Sequence, residues 1–167
     1  MTLRNSILIL VVLGAIGFAL YAGVFQSKPA PAVTFTSIKG EKLSTADLRG
    51  RVVLVNFWAT DCPTCVKEMP KMVETYEKHR KAGFELIAVA MRYDPPNYVL
   101  NYAEKNALPF KVALDPMGVL AKAFDEVKLT PTTIVIDKRG NIVTRILGEP
   151  DFVKLDALIA EKLAERV

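Results

Sequence analysis

Hydrophobic residues follow three different rhythms along this chain. From Ser6 to Phe25, 20 residues pass without a charge, and apolar side chains would surround the whole circumference of a helix there. Val52 to Trp58 (VVLVNFW) and Phe84 to Ala90 (FELIAVA) are short, nearly continuous apolar runs, the pattern of strands buried on both faces. Between them Val66, Met69, Val73 and Tyr76 recur at i, i+3, i+7 and i+10. That spacing predicts one apolar face of a helix over Pro63 to Lys81, ended by Gly83. Lys67, Lys71, Glu74 and Lys78 form its wet face, with Glu74 and Lys78 paired at i,i+4. Pro70, inside this helix, is expected to kink it.

The remaining elements are read more coarsely. Val33 to Ile38 reads as a short edge strand before a Lys39-Gly40 turn, and Ser44 to Leu48 as a helical turn stopped by Gly50. Pro95-Pro96 opens a helix to about Asn106; Phe110 to Leu114 is a strand and Met117 to Phe124 a short helix. Thr132 to Ile136 and Ile142 to Leu147 form a hairpin around residues 138–141, and Asp151 starts a last amphipathic helix. Strands alternating with helices imply an α/β fold: a mixed sheet, parallel in its first half, with helices on both faces.

The first rhythm changes the organisation. At about 1.5 Å per residue, residues 6–25 are long enough to cross a bilayer core. Arg4 and the terminal amine precede the run and no acid occurs before Glu41, which favours residues 1–5 in the cytoplasm and everything after the span outside. A cleaved signal peptide competes, but cutting after Ala22 or Gly23 would leave Leu20 or Tyr21 where a small residue is needed. No cysteine follows the span to carry a lipid. An uncleaved single-pass anchor in a bacterial cytoplasmic membrane is the expected reading. Residues 26–33 then form a solvated Pro/Ala linker, and residues 34–167 are the size of one domain. The net charge of +4 is small and its charges are interleaved, so nothing points to nucleic acid.

The candidate chemistry lies in WATDCPTCVKEMP, Trp58 to Pro70, which holds the only two cysteines, Cys62 and Cys65. A structural zinc site needs about four ligands, and only His79 is available beside them. A disulfide spanning two residues would restrain the unfolded chain little. A buried strand followed by C-x-x-C at a helix start suits redox exchange best. Cys62 then sits at or near the N-cap with Pro63 at N1, where helix N–H groups favour a thiolate. Cys65 is almost a turn later, placed to resolve a mixed disulfide. Glu68, three residues beyond Cys65, stands beside Met69 on the inward side. Partly buried there, it would accept the Cys65 proton; the competing reading is a half-exposed acid paired with Lys67 or Lys71. Asp61, next to Cys62, either opposes the thiolate or is itself the N-cap. His79, Tyr93 and Pro95-Pro96 carry no readable chemistry and are expected at the surface or in loops.

With FWA before the cysteines, E-M-P after them and Thr130-Pro131-Thr132 downstream, the segment from Val33 to Val167 resembles thioredoxin-like proteins. It is most similar to the membrane-anchored TlpA/ResA-type thiol-disulfide oxidoreductases related to cytochrome c maturation reductants. The resemblance implies a thioredoxin-like fold, a cis Pro131 facing the disulfide, and a substrate groove formed by Trp58, Pro63, Thr64, Thr130 and Pro131. It departs from the pattern at Asn56, where cytosolic thioredoxins commonly have an aspartate, and at Asp61, where a neutral residue is usual.

The expected function is therefore extracytoplasmic reduction of protein disulfides by the Cys62/Cys65 dithiol, with no cofactor beyond that redox-active disulfide. The implied partners are a disulfide-bonded substrate protein and a membrane electron donor; a monomer is expected. An oxidase or isomerase uses the same two sulfurs, and residues 63 and 64 do not settle the direction. A peroxidase would need a P-x-x-x-T/S-x-x-C pattern, absent before Cys62. A membrane-tethered binding or chaperone module on the same scaffold is the non-enzymatic alternative.

Overall fold

The computed structural model describes residues 28–166. The expected transmembrane anchor, residues 6–25, lies outside the described residues; among those described, no helix is long and apolar enough to cross a membrane.

Eight strands follow in chain order: β1 (Lys28–Pro29), β2 (Thr34–Thr36), β3 (Lys42–Ser44), β4 (Val52–Trp58), β5 (Phe84–Ala90), β6 (Lys111–Leu114), β7 (Thr132–Ile136) and β8 (Asn141–Leu147). The helices are α1 (Pro63–His79), α2 (Pro96–Lys105), α3 (Val119–Ala123) and α4 (Phe152–Ala164), with a 3-10 turn at Arg80–Ala82. The main sheet runs β1-β8-β7-β4-β5-β6. β4, β5 and β6 are parallel, while β7 is antiparallel to both β4 and β8. This is the mixed sheet, with β4, β5 and β6 parallel, that the order of strands and helices implies.

Every residue of β4 is buried, and its alternation divides the core. Val52, Leu54 and Trp58 join Met69 and Met72 of α1, Val99 of α2, and Leu155 and Ile159 of α4 in one apolar cluster. Val53, Val55 and Phe57 point the other way, onto Phe35, Leu120 and Phe124. Asn56 shares the periodicity of Leu54 and Trp58 and so points toward α1 from the middle of a buried strand.

Several sequence expectations are corrected. The Val33–Ile38 strand is the shorter β2, paired with β3, which at three residues is too short to announce itself. The pair is tied to the main sheet by a Ser37–Ala113 bridge and by Ile38 N–H donating to Val112 O at 2.8 Å. Ser44 is the last residue of β3, and the helical turn expected over Ser44–Leu48 is a series of turns over residues 45–50, opened by Asp47, which closes back on Ser44 through its N–H and its side chain. Within the Pro/Ala segment, Lys28–Pro29, both exposed, pairs with β8 and Ala30 N–H donates to Gly140 O, so this part is solvated and also lies along the sheet edge.

The buried stripe of α1 is Cys65, Glu68, Met69, Met72, Thr75 and His79; Val66, Val73 and Tyr76 are only half-buried at its flank. Residue type alone placed the seam one step off, because three polar residues find partners inside. The expected Glu74–Lys78 pair does not form either. Lys71 takes Glu74 at 2.9 Å, and Lys78 reaches Asp156 of α4 at 2.7 Å. Asp156 also meets His79 at 2.7 Å, which with the Phe84 ring holds His79 in a buried position rather than at the surface.

Candidate active site

β4 ends at Trp58, and four residues later α1 begins. Cys62 N–H closes a turn onto Ala59 O at 3.3 Å, and Cys62 takes extended angles (φ −96°, ψ 104°), the backbone of an N-cap. Pro63 follows at N1, where no donor is lost. The N-cap is therefore Cys62 and not Asp61, which is exposed. Cys62 and Cys65 form a disulfide with Cα atoms 5.3 Å apart. The Cys62 sulfur is half-buried and accepts the Cys65 N–H at 3.2 Å; no side chain among the described residues donates to it. Cys65 is fully buried. An attacking sulfur must be reachable and a resolving one need not be, so the two exposures separate the two parts.

Three residues beyond Cys65, on the same buried stripe of α1, lies a carboxyl group. Glu68 is 1% exposed. Asn56 Nδ2 donates to Glu68 Oε1 at 3.0 Å and to Thr133 Oγ1 at 3.1 Å, while Glu68 Oε2 has no partner among the described residues. Asn56 and Thr133 face each other because they are register partners in β4 and β7. Burial pushes the Glu68 carboxyl up to about 7; the Asn56 amide works against that shift and the negative charge of Glu149 adds to it. Neither lysine pairs with Glu68: Lys67 reaches Glu149 at 2.8 Å and Lys71 reaches Glu74. The half-exposed ion pair is thus corrected to a buried, amide-linked acid able to exchange a proton near neutral pH.

The proposed groove residues separate into two sets. Pro63 and Thr64 are exposed beside Cys62, and Thr130 is half-buried. The Thr130–Pro131 peptide is cis, and Pro131 itself is buried, its carbonyl accepting Gly148 N–H at 2.8 Å. Trp58 is 0% exposed and packs against Tyr102 with ring centroids 5.2 Å apart and planes tilted by 54°, within the same cluster as Cys65. It is a core aromatic and offers no surface to a partner.

Sequence reading places Met91 to Tyr98 at the rim of the groove but gives this loop no role. Asp94, buried, accepts Thr60 N–H at 2.7 Å and Thr60 Oγ1–H at 2.6 Å, two residues ahead of Cys62. Neighbouring Tyr93 meets Thr130 through its hydroxyl at 3.2 Å. Residues 93 and 94 therefore link the cysteine loop to the proline loop. No local pattern marks them, since both contacts span more than 30 residues. Among the described residues no cluster of side chains could hold a metal ion.

Comparison with known proteins agrees with this geometry. The family model described as Redoxin matches residues 26–159. A relative from Bacillus thuringiensis subsp. konkukian, named thiol-disulfide oxidoreductase ResA, is 37% identical over 154 residues, covering 88% of each chain. The protein of the same name from Geobacillus kaustophilus is 37% identical over 155 residues, covering 89% of this chain and 87% of its own. Among solved structures, a thiol:disulfide interchange protein of the thioredoxin family from Chlorobium tepidum superposes with a TM-score of 0.76 at 28% identity. That match covers 83% of this chain and 98% of the other.

Proposed function

Given that the chain belongs to the redoxin family and is a thiol-disulfide oxidoreductase of ResA type, we propose that it works as a reductase of protein disulfides on the outer side of the cytoplasmic membrane. In this reading the Cys62 thiolate attacks a substrate disulfide. One substrate sulfur leaves as thiolate and takes a proton from water, and a Cys62–substrate disulfide remains. Cys65 gives its proton to the Glu68 carboxylate and attacks the Cys62 sulfur. The second substrate thiolate leaves, and two electrons have passed from the dithiol to the substrate. A membrane dithiol donor then restores Cys62 and Cys65. The uncharged run over residues 6–25 supports the anchor and the compartment, and cytochrome c assembly is one source of such substrates.

The observation that carries the direction is the charge around the dithiol. Strong oxidants are those whose reduced, thiolate form is stabilised. Here the Cys62 sulfur receives one backbone N–H, Asp61 stands next to it in the chain, and a carboxyl lies behind Cys65. Carboxylates on both sides disfavour a thiolate and so favour the disulfide form of the enzyme, which makes its dithiol reducing.

Equilibrating the full chain in detergent with thiol redox buffers and trapping the free thiols measures the potential. The reading expects a value near or below about −270 mV, that of thioredoxin. A value above about −200 mV would assign oxidase or isomerase chemistry instead. Loss of the Cys62/Cys65 couple without loss of cellular activity would leave only a binding module.

A further inference from the structure

Beside the cysteine loop the surface turns apolar and basic. Tyr93 is 51% exposed, Met117 80%, Leu129 61% and Leu147 62%. These residues are distant in sequence but joined around one feature. Tyr93 bonds Thr130, Thr132 Oγ1–H donates to the Leu129 carbonyl at 2.7 Å, and Leu147 is the register partner of Thr132. All three therefore border Pro131. Next to them opens a cavity of about 560 Å³, floored by Met91 and Ala121 and rimmed by Tyr93, Met117, Arg92 and Lys122.

The rim is charged in one sense. Arg92, Lys122 and Lys128 line the cavity against a single acid, Glu126, which Lys128 engages at 3.3 Å. Arg92 and Lys122 have no acidic partner among the described residues. The Arg92 stem packs 3.3 Å from where a Cβ on Gly118 would lie, so the backbone there gives the long side chain room to cross the cleft. α3, which presents Lys122, is fixed from below: the buried Asp115 carboxylate accepts Leu120 N–H at 3.1 Å and Ala121 N–H at 2.8 Å. The two cations are thus mounted on held backbone.

We propose that this surface docks an extended acidic segment of the substrate protein, carrying a bulky apolar side chain, alongside the cysteine under attack. The proposal rests on the disulfide-exchange reading and names the substrate class for that site. Apolar side chains on the rim offer area, and two unpaired cations select the sign of the partner's charge. The loop holding Tyr93 and Asp94 is bonded to Thr60 and to Thr130, so a segment seated here lies against the same loops that carry Cys62 and Pro131.

The test uses the reduced full chain in detergent and three synthetic peptides, each with one cysteine capped as a mixed disulfide with thionitrobenzoate. The residues flanking the cysteine are Leu with two Glu, Leu with two Gln, or Leu with two Lys. At low ionic strength the Glu peptide should react on the order of tenfold faster than the Lys peptide, and added salt should shrink the ratio. Arg92→Glu and, independently, Lys122→Glu should bring the ratio to one or invert it. Lys154→Glu, at the start of α4, should leave it unchanged. Equal rates for the two charged peptides, or a ratio that Lys154→Glu alters as much as Lys122→Glu, would overturn the docking surface while leaving disulfide exchange standing. No reaction with the Gln peptide would overturn the exchange reading itself, and the docking surface with it.

Discussion

Glu68 and Glu85 are two carboxyl groups sunk in the same domain, 1% and 8% exposed, each with one oxygen that meets no partner among the described residues. Burial raises the proton affinity of both. Their neighbours differ. Glu85 lies near the start of β5, with the Arg51 guanidinium at 3.5 Å and the Lys111 charge pulling its proton affinity back down. Glu68 has only the neutral Asn56 amide, and the Glu149 charge pushes it further up, to about 7. Register separates them along the sheet. Glu85 pairs with Val53, whereas Asn56, which holds Glu68, pairs with Ala88, nearer the end of β4 that leads to Cys62. Depth alone therefore does not make a carboxyl reactive. Cations beside Glu85 pull its proton affinity back down, and the neutral amide beside Glu68 leaves it free to take and return a proton.

The sharpest way to break this comparison is to remove each acid in turn. Glu68→Gln should slow resolution of the mixed disulfide by roughly a hundredfold, the usual size of a lost general base. Glu85→Gln should leave the rate within about twofold, as for a change away from the reacting atoms. Stopped-flow release of thionitrobenzoate itself from Cys62, loaded there as its mixed disulfide and displaced by Cys65, reads both. Equal losses would end the distinction. The pH profile carries a second signature: the wild-type resolution rate should climb as Glu68 ionises through about pH 7. Glu68→Gln should lose that inflection and Glu85→Gln should keep it.

Much of this site was legible in the sequence. The apolar run, the N-cap position of Cys62, Pro63 at N1 and the inward place of Glu68 all follow from spacing within a dozen residues. The partners of Glu68 do not. Asn56 meets Thr133 only because β4 and β7 pair in one register, 77 residues apart in sequence. Asp94 holds Thr60 across 34 residues. β3 has three residues, and one apolar position, Leu43, between two polar ones is too short a pattern to mark a strand; its strand character comes from β2 beside it. His79 was misplaced because Asp156, which holds it, belongs to a helix that packs back from the far end of the chain.

Stability offers a smaller effect with a definite sign. The folded Glu68 binds its proton more tightly than an ordinary carboxyl at 4.5. Its contribution is fully present below about pH 4.5 and is lost as pH rises through about 7. Glu68→Gln escapes that loss. Above pH 7 it should be more stable than wild type by on the order of 2 to 3 kcal/mol, with the gap closing toward pH 4. Urea unfolding at pH 4, 6 and 8 checks this. Asn56→Asp should sharpen the point by setting a second carboxyl 3 Å from the first. The pair would share a proton, and the inflection in the resolution rate would move above that of wild type. The smallest change is expected for Arg51→Ala, whose half-exposed guanidinium contributes at most about 1 kcal/mol; it should leave the rate profile in place.

The most direct measurement is the carbon-13 titration of the side-chain carboxyls in the oxidised chain, with Glu68 and Glu85 assigned through their Gln variants. The account predicts a Glu68 midpoint at about 7. A Glu68 midpoint in the ordinary range near 4.5 would contradict it, because a carboxyl already ionised and settled at that pH is no better placed to take the Cys65 proton than any acid on the surface.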